Sequence, residues 1–294
     1  MPSRPDAVIV TPAVLRGWRL PAPGSDKEDR GRTVIAAGSA RNPGAVLLAA
    51  EAAIRAGAGK LQVATVASLA PHVAIALPEA LVVPLPERDG DISPAAADEI
   101  AELAASASAL LLGPGALDPG RCAELVAAVV PRVGCPVVLD AGALAVLGRD
   151  PGVIGHLGGR AVLTPNRKEL AIAAGVDREK AEARTAELTV SLAADAGATV
   201  TCGGPETWTA APDGRLWCDQ TGGAGLAVSG SGDVLAGIVT GLLARGADPA
   251  QAAVWASQLH GRAGDRLAAS VGRIGYLARE IPAEVPRVLA EIEI

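Results

Sequence analysis

The clearest sign of chemistry in this chain is a glycine-rich stretch that runs directly into a helical pattern. From Thr221 to Gly237 the sequence reads TGGAGLAVSGSGDVLAG. Glycines before a helix let backbone N–H groups converge on an anion at the positive end of the helix dipole. The stretch lacks the Gly-Lys-Ser/Thr of a Walker loop and the strand-linked Gly-x-Gly-x-x-Gly of a dinucleotide fold. We therefore expect Gly230, Ser231 and Gly232 to form a phosphate cradle of another kind.

Asp233 follows this cradle directly and allows two interpretations. A carboxylate at a helix start can cap free backbone N–H groups, and the glycines would then form only a mobile loop. A carboxylate beside an anion site can also take the proton from a substrate hydroxyl while a phosphoryl group is transferred. The spacing alone leaves both roles open.

The elements that would position this loop follow an alternating pattern. From about residue 33, short apolar runs alternate with Ala- and Leu-rich helical stretches, which is typical of an α/β fold with a mainly parallel central sheet and helices on both faces. Strands are predicted at 33–37, 60–66, 109–112, 136–139 and 160–163. Because the carboxyl ends of parallel strands form the ligand crevice, we expect strand-end residues to face the glycine loop. These residues are Gly38, Gly113, Asp140 and Thr164.

The second half of the chain predicts a different end to the sheet. Between residues 198 and 218 the helical pattern gives way to short strands with a turn at 212–214, which predicts a hairpin or meander. Further helices are expected to start at Ser231, after Asp248, and at Pro282. No Pro/Ser-rich linker or internal repeat is visible. We therefore expect one domain over residues 1–294, with 1–30 as an arm or extra layer.

Composition excludes several classes of protein. The 294 residues carry a net charge of −6 with no cluster of Lys and Arg, which argues against nucleic-acid and anionic-membrane partners. The N-terminus lacks the apolar core of a signal peptide, and no uncharged apolar run approaches the roughly 18 residues that span a bilayer. Four scattered cysteines without a Cys-x-x-Cys pair favour reduced, buried thiols over a zinc or redox site. These features predict a soluble, cytoplasmic protein.

The segment GSGDVLAG at residues 230–237 resembles the signature loop of the ribokinase-like superfamily, and more narrowly that of the ADP-dependent NAD(P)H-hydrate dehydratases. Further segments agree with the narrower family in order along the chain: TVIAAGS (33–39), PGAVLLA (43–49), RAGAGK (55–60), GPG (113–115), VLDA (138–141), LTPN (163–166) and HG with AGD (260–265). The match spans roughly residues 27–292. We expect no fused epimerase domain of the kind that some family members carry.

The resemblance implies a ribokinase-like three-layer αβα sandwich that binds Mg²⁺ and ADP or ATP and forms a homodimer or homotetramer. The implied reaction is dehydration of the S epimer of NAD(P)H hydrate, through phosphorylation of its hydroxyl and elimination of phosphate, which repairs the damaged cofactor. By matching position, the hydrated cofactor would contact Ala45, Gly115, Asn166 and Asp233, the last as catalytic base. Gly232 would contact the nucleotide phosphate. The rest of the nucleotide would lie along Cys202, Gly203, Gly204, Pro205 and Glu206.

Three positions depart from the common pattern of the family. Asn166 stands in place of His, Gly142 in place of Asp, and Cys202 in place of a Lys. The lost lysine matters most, because a cation near the phosphates stabilises the charge that develops during transfer. Either Mg²⁺ and backbone amides suffice, or nucleotide preference or activity has shifted. A small-molecule kinase of the same fold and a nucleotide-binding protein with weakened catalysis are therefore the alternatives.

Several single residues have two possible roles. Asp140 either holds Mg²⁺ through water or is a simple turn residue at a strand end. His260 is predicted to pack between helices rather than to take part in catalysis. Trp208 and Trp217 flank the 212–214 turn, where packing is favoured over stacking on adenine.

Overall fold

A ten-stranded β-sheet forms the middle layer of the molecule, and helices cover both of its faces. The computed structural model describes residues 6–150 and 152–294, so residues 1–5 of the predicted arm lie outside the described part.

The strands, in chain order, are β1 (Val8–Ile9), β2 (Arg32–Ala36), β3 (Lys60–Val66), β4 (Ala80–Leu85), β5 (Glu87–Arg88), β6 (Asp91–Ile92), β7 (Ala109–Leu112), β8 (Val137–Leu139), β9 (Ala161–Leu163), β10 (Thr199–Cys202), β11 (Thr207–Ala210) and β12 (Leu216–Asp219). The α-helices are α1 (Pro12–Gly17), α2 (Gly44–Arg55), α3 (Ala70–Ala76), α4 (Ala97–Ala104), α5 (Pro119–Val129), α6 (Arg167–Ala173), α7 (Arg178–Ala183), α8 (Thr185–Ala196), α9 (Ser231–Ala244), α10 (Pro249–Ser270) and α11 (Ile281–Glu293). Short 3₁₀ helices cover Pro94–Ala96, Val130–Arg132, Ala141–Gly148, Gly155–Leu157, Ala224–Leu226 and Ala278–Glu280.

The large sheet is parallel except at one strand. Its order is β1-β12-β11-β10-β9-β8-β7-β2-β3-β4, while β5 and β6 form a separate hairpin. Among the ten described strands of this sheet, β11 alone runs antiparallel to its neighbours, β10 and β12. The predicted mainly parallel sheet and the predicted meander are both confirmed. The predicted strands correspond to β2, β3, β7, β8 and β9, whose carboxyl ends therefore lie along one edge.

Burial on both faces explains why β7, β8 and β9 are continuous apolar runs. Successive side chains of a strand point to opposite faces. In β2, Ile35 joins the core that also contains side chains of α2, α9 and α10, whereas Val34 joins the core that contains side chains of α4, α5 and α8. Because the sequence has no Phe, aliphatic side chains build most of both cores.

Two glycines let α9 lie directly against α2. A Cβ added at Gly237 would lie 2.2 Å from the carbonyl oxygen of Ala49, and one added at Gly241 would lie 2.3 Å from that of Ala53. Their spacing of four residues places both glycines on the same face of α9. Both helices begin at the carboxyl edge of the sheet, so this contact fixes their N-termini relative to each other.

The described part of the N-terminal arm packs onto the sheet. β1 pairs with β12, and Leu15 of α1 is fully buried. Trp18 stacks on Trp217 with ring centroids 5.5 Å apart, and Nε1 of Trp255 donates a 2.9 Å hydrogen bond to the carbonyl of Trp18. Trp208 is buried in the core on the other face. Both tryptophans of the hairpin thus pack in the interior, as expected.

The cysteines are buried free thiols, which confirms the expectation from their spacing. Burial raises the pKa of Cys122 to about 12, so this thiol is un-ionised at neutral pH. Within residues 6–150 and 152–294, none of the helices has both the length and the apolar character needed to cross a bilayer.

We expect Gly241→Ala to lower the free energy of unfolding by about 1–3 kcal/mol, because the added methyl group must push α9 away from α2. This loss would occur although alanine has the higher intrinsic helix propensity. Gly17→Ala is the control, since a Cβ at Gly17 meets no atom within 4 Å. Urea denaturation of both variants measures the difference. A Gly241→Ala protein as stable as the control would show that the close approach is unnecessary.

Candidate active site

The carboxyl ends of four neighbouring strands meet in one crevice, as predicted. The N–H of Gly38, after β2, donates a 2.8 Å hydrogen bond to the carbonyl of Pro114, after β7. Gly113 lies so close to the end of β8 that a Cβ there would be 2.0 Å from the carbonyl oxygen of Asp140. The hydroxyl of Thr164, after β9, donates to Oδ1 of Asp140 at 2.7 Å. Successive strand ends are thus joined by direct contacts.

Ala45 and Gly115, two of the predicted substrate contacts, lie side by side in this crevice. Gly115 has a φ of 78°, and a Cβ there would lie 2.9 Å from the Cβ of Ala45. The hydroxyl of Ser39 donates a 2.7 Å hydrogen bond to the carbonyl of Gly115. Glycine is therefore required at this position both for the backbone conformation and for space.

The glycine-rich loop is held from two sides. Gly230 has a φ of 91°, and a Cβ there would lie 2.4 Å from Cδ1 of Leu48 in α2. At Gly225 a Cβ would lie 2.4 Å from Cε1 of Tyr276, which packs beneath the loop. In contrast, a Cβ at Gly232 would meet no atom within 4 Å. The backbone around Gly232 is therefore open to a ligand, while its neighbours are fixed by packing.

A histidine on α10 contacts the first residue of α9. Nε2 of His260 and Oγ of Ser231 share a 3.0 Å hydrogen bond. Burial lowers the pKa of His260 to about 4, so the ring is neutral near pH 7. His260 packs between helices as expected. Its partner Ser231, however, belongs to the predicted phosphate cradle, and the sequence did not indicate this contact.

Asp233 lies in the first turn of α9 without capping the helix. The N-cap is Gly230, and no side chain of the described residues caps this helix start. Burial raises the pKa of Asp233 to about 6, and the negative charge of Glu169 adds to the shift. A carboxylate whose pKa is close to neutral is better matched to proton transfer than an ordinary aspartate. The capping interpretation is therefore wrong, and the proton-acceptor interpretation is favoured.

Three carboxylates influence one another across the crevice. Burial raises the pKa of Asp140 well above its ordinary value, the hydrogen bond from Thr164 opposes this shift, and the charges of Asp233 and Glu169 add to it. Burial also raises the pKa of Glu169. In the described ranges, no three side chains of His, Cys, Asp or Glu are grouped to hold a metal ion. The charge of the site thus comes from carboxylates that repel each other.

Asn166 begins α6 and forms a capping box with Glu169. Its Oδ1 accepts hydrogen bonds from the N–H groups of Lys168 and Glu169 at 2.9 and 3.0 Å, and Oε2 of Glu169 accepts from the N–H of Asn166 at 2.9 Å. A parallel backbone bridge joins Asn166 to Gly203, beyond the end of β10. The predicted substrate residue and the predicted nucleotide segment are therefore neighbours.

The side chain that opens the predicted nucleotide segment faces the interior. Cys202 is fully buried at the end of β10, and burial raises the pKa of its thiol to about 12. The neutral thiol cannot supply the charge that a lysine would. A Cβ at Gly203 would meet no atom within 4 Å, so the turn after β10 is accessible through its backbone. Further along this turn, Glu206 accepts a 3.0 Å hydrogen bond from Nε2 of Gln220.

The glycine at position 142 has a steric explanation. Gly142 lies in the 3₁₀ helix after β8, where a Cβ would be 2.9 Å from the Cβ of Ala116 and 3.4 Å from that of Cys122. The Cβ of an aspartate would have to displace Ala116, whereas its contact with Cys122 would be an ordinary one. Glycine at position 142 therefore fits the close packing of this 3₁₀ helix against the segment after β7 and against α5.

Comparison with known proteins identifies the family to which the chain belongs. The model of the NAD(P)H-hydrate dehydratase family matches residues 33–287. An ADP-dependent (S)-NAD(P)H-hydrate dehydratase of Xanthomonas campestris is 47% identical over 287 residues, which cover 97% of each chain. The chain belongs to the NAD(P)H-hydrate dehydratase family. It spans about half the length of several bifunctional NAD(P)H-hydrate repair enzymes that it also matches.

Solved structures agree with this membership. The crystal structure of an ADP/ATP-dependent NAD(P)H-hydrate dehydratase from Bacillus subtilis, co-crystallized with ATP/Mg²⁺, has a TM-score of 0.83 at 30% identity and covers 99% of this chain and 100% of that chain. A ribokinase-like superfamily protein from Enterococcus faecalis has a TM-score of 0.82 at 22% identity, covering 99% and 98%. The predicted ribokinase-like αβα fold is confirmed.

This dehydratase family member brings most of its predicted site residues to one edge of the sheet, but the sequence missed some of their partners. No feature of the sequence indicated that the charge of Glu169 acts on Asp233. Arg167 was not identified at all, and its place directly after Asn166 is the one signal that could have found it. The contact of His260 with Ser231 joins residues 29 positions apart, for which no local pattern exists.

If Asp233 is the proton acceptor, kcat/KM should rise with pH through about 6, because only the deprotonated carboxylate can accept a proton. Burial would still raise the pKa of Asp233 in Glu169→Gln, but the added effect of the Glu169 charge is lost, so the midpoint of the pH profile should move to lower pH. Glutamine can still take part in the capping box. Glu179→Gln, on the exposed helix α7, is the control. If Glu169→Gln leaves the pH profile unchanged, the midpoint of that profile does not report the titration of Asp233.

Proposed function

We propose that this chain is an ADP- or ATP-dependent (S)-NAD(P)H-hydrate dehydratase, a lyase that repairs the damaged reduced cofactor. The observation that carries the proposal is Asp233, a partly buried carboxylate with a pKa of about 6 beside a glycine-lined anion site. The names of the relatives from X. campestris and B. subtilis support this activity. The B. subtilis enzyme co-crystallized with ATP/Mg²⁺ supports the use of an adenine nucleotide.

In the first step, Asp233 would accept the proton of the hydrate hydroxyl. The hydroxyl oxygen forms a bond to the terminal phosphorus of ADP, and the bond from that phosphorus to the bridging oxygen breaks, which releases AMP. Backbone N–H groups of Gly230, Ser231 and Gly232, at the positive end of α9, would stabilise the charge on the transferred phosphoryl group. Ala45, Gly115 and Asn166 would position the hydrated ring beside Asp233.

In the second step, phosphate leaves in place of the poor leaving group hydroxide. The lone pair of the ring nitrogen forms a C=N bond as the C–O bond breaks, and loss of a proton from the adjacent ring carbon restores NAD(P)H. The balance is hydrate plus ADP to NAD(P)H, AMP and phosphate. The segment Gly203 to Glu206 would hold the remainder of the nucleotide.

Mg²⁺ would accompany the nucleotide. This ion usually keeps several waters and is bound by one or two carboxylates together with substrate phosphates. Asp140 fits a contact through water, because its buried carboxyl lies at the strand ends and has Thr164 as its hydrogen-bond donor. The ion would neutralise charge on the phosphates when bound.

We expect Asp233→Asn to lower the rate of NADH recovery from its hydrate by roughly 10²- to 10⁴-fold, because an amide cannot accept the hydroxyl proton. Binding of ADP with Mg²⁺ should persist. Asp195→Asn, an exposed change on α8, controls for the loss of one charge. Near wild-type turnover of Asp233→Asn would contradict the proposed base, and a stable phosphorylated product in the wild-type assay would favour a kinase of the same fold.

The same variant has an expected effect on stability. The pKa of Asp233 is higher in the folded protein, about 6, than its ordinary value of 3.8, so the ionised carboxylate disfavours the folded state. Stability contributed by the protonated form is therefore lost as pH rises through about 6. Asp233→Asn should raise the free energy of unfolding at pH 8 by about 1–3 kcal/mol and change it little at pH 4. Equal effects at both pH values would contradict the shifted pKa.

We also propose that residues 1–294 act as one domain in the cytoplasm and form a homodimer or homotetramer. Both edges of the large sheet carry exposed apolar side chains, Val8 and Ile9 in β1 and Leu81 in β4, and Ile75 of α3 is 84% exposed. Covering such side chains favours association of copies. Light scattering after size exclusion tests this: a monomer at micromolar concentration would overturn the oligomer, whereas Leu81→Glu should reduce the assembly.

A further inference from the structure

An arginine that the sequence did not single out lies against the predicted nucleotide segment. Arg167 is the first residue of α6, directly after Asn166. A Cβ added at Gly204 would lie 2.5 Å from its Nε and 2.8 Å from its Cζ, so the guanidinium packs on the bare backbone of Gly204. Its charge also acts on the Cys202 thiol, against the burial that raises the pKa of that group. The cation thus sits beside the position from which a lysine is missing.

The guanidinium of Arg167 has unused hydrogen-bonding capacity. Its Nε is buried and has no hydrogen-bond partner. Within residues 6–150 and 152–294, its side chain forms neither a hydrogen bond nor an ion pair, although Glu169 lies two positions away. A buried donor without a partner costs free energy unless a ligand or water satisfies it. Other arginines of the molecule, such as Arg178 and Arg184, pair with carboxylates instead.

The carboxylates around the crevice repel an anionic ligand, so a cation nearby would favour its binding. Asp140, Glu169 and Asp233 bring carboxylates to the edge where the nucleotide phosphates would lie. The charges of Asp233 and Glu169 act on Asp140, and that of Glu169 acts on Asp233. A nucleoside diphosphate or triphosphate adds further negative charge. The amides of the glycine loop carry only partial charges. Arginine presents several N–H donors in a planar fork that matches phosphate oxygens.

We propose that Arg167 binds a phosphate group of the adenine nucleotide and thereby supplies, from the end of β9, the cation that Cys202 does not supply from β10. The proposal rests on the proposed function of this site. Gly204 contributes to this arrangement by leaving room for the guanidinium, which a side chain at position 204 would displace. Asn166, whose backbone bridges to Gly203, holds the start of α6 against the nucleotide segment.

Calorimetry of ADP binding in the presence of Mg²⁺ tests the proposal without requiring turnover. Arg167→Gln should weaken ADP binding roughly 10- to 100-fold, the range expected for a charge-assisted hydrogen bond to an anion. Arg167→Lys should restore part of the affinity, since lysine keeps the charge but not the fork. Arg178→Gln removes an equal charge on the exposed helix α7 and should leave the affinity unchanged. Circular dichroism and thermal unfolding check that each variant is folded.

A second variant, Gly204→Ala, tests the position of the Arg167 guanidinium without changing Arg167 itself. Gly204→Ala should also weaken ADP binding, because the methyl group moves the flexible guanidinium and meets no backbone atom first. In the Arg167→Gln background, Gly204→Ala should have little additional effect. Full additivity of the two losses would overturn the assignment, as would unchanged ADP affinity in a folded Arg167→Gln protein.

Kinetics distinguish the two phosphates that Arg167 could bind, one on the adenine nucleotide and the other the 2′-phosphate of NADPH hydrate. If Arg167 binds the nucleotide, Arg167→Gln raises the KM for ADP and leaves the KM values for NADH hydrate and NADPH hydrate near those of the wild type. A rise confined to NADPH hydrate would place the guanidinium on the 2′-phosphate of the substrate and overturn the proposal. A wild-type protein that binds ADP but recovers no NADH would refute the proposed function, while the calorimetric comparison would still decide the role of Arg167.

Discussion

The close contact between α2 and α9 is the constraint on which the site depends. Gly237 and Gly241 allow the backbone of α9 to approach that of Ala49 and Ala53, and no larger residue leaves room for this approach. The two helices begin at the carboxyl edge of the sheet. Their contact therefore sets the distance between Ala45, near the start of α2, and Asp233, in the first turn of α9. Side-chain chemistry at the edge is a consequence of backbone packing in the core.

The electrostatics of the site follow from this geometry. Helix starts and strand ends enclose carboxylates in a place with little water, so burial is the largest cause of the raised pKa values of Asp140, Glu169 and Asp233. Low solvent exposure strengthens both repulsion among these groups and attraction to a cation. The same enclosure that raises the pKa of Asp233 thus makes the binding of an anion at this edge dependent on positive charge from elsewhere.

The departures from the family pattern are linked to their surroundings. Gly142 is adjacent to Ala116 and Cys122, which occupy the space that a side chain at position 142 would need. Asn166 keeps a capping function at the start of α6 through its bonds to Lys168 and Glu169. Cys202 is enclosed at the end of β10, so a charged residue there would require different packing. Each of the three departing residues therefore fits the packing or the hydrogen bonds of the residues around it.

The sequence by itself determined the α/β architecture, the edge that carries the site, and the positions of β2, β3, β7, β8, β9 and the meander, because these depend on local patterns. It did not predict β1, β4, β5 or β6. The run at 109–112 is apolar at every position since both faces of the sheet are buried. Asp248 begins α10 because its Oδ1 accepts a hydrogen bond from the N–H of Gln251, three residues along the chain. Only the tertiary structure decided that Asp233 leaves α9 uncapped and that burial, together with the charge of Glu169, raises its pKa. It also decided that Ser231 contacts His260 and that Arg167 packs on Gly204. These properties depend on distances between segments far apart in the chain and on the exclusion of water, which no local pattern encodes.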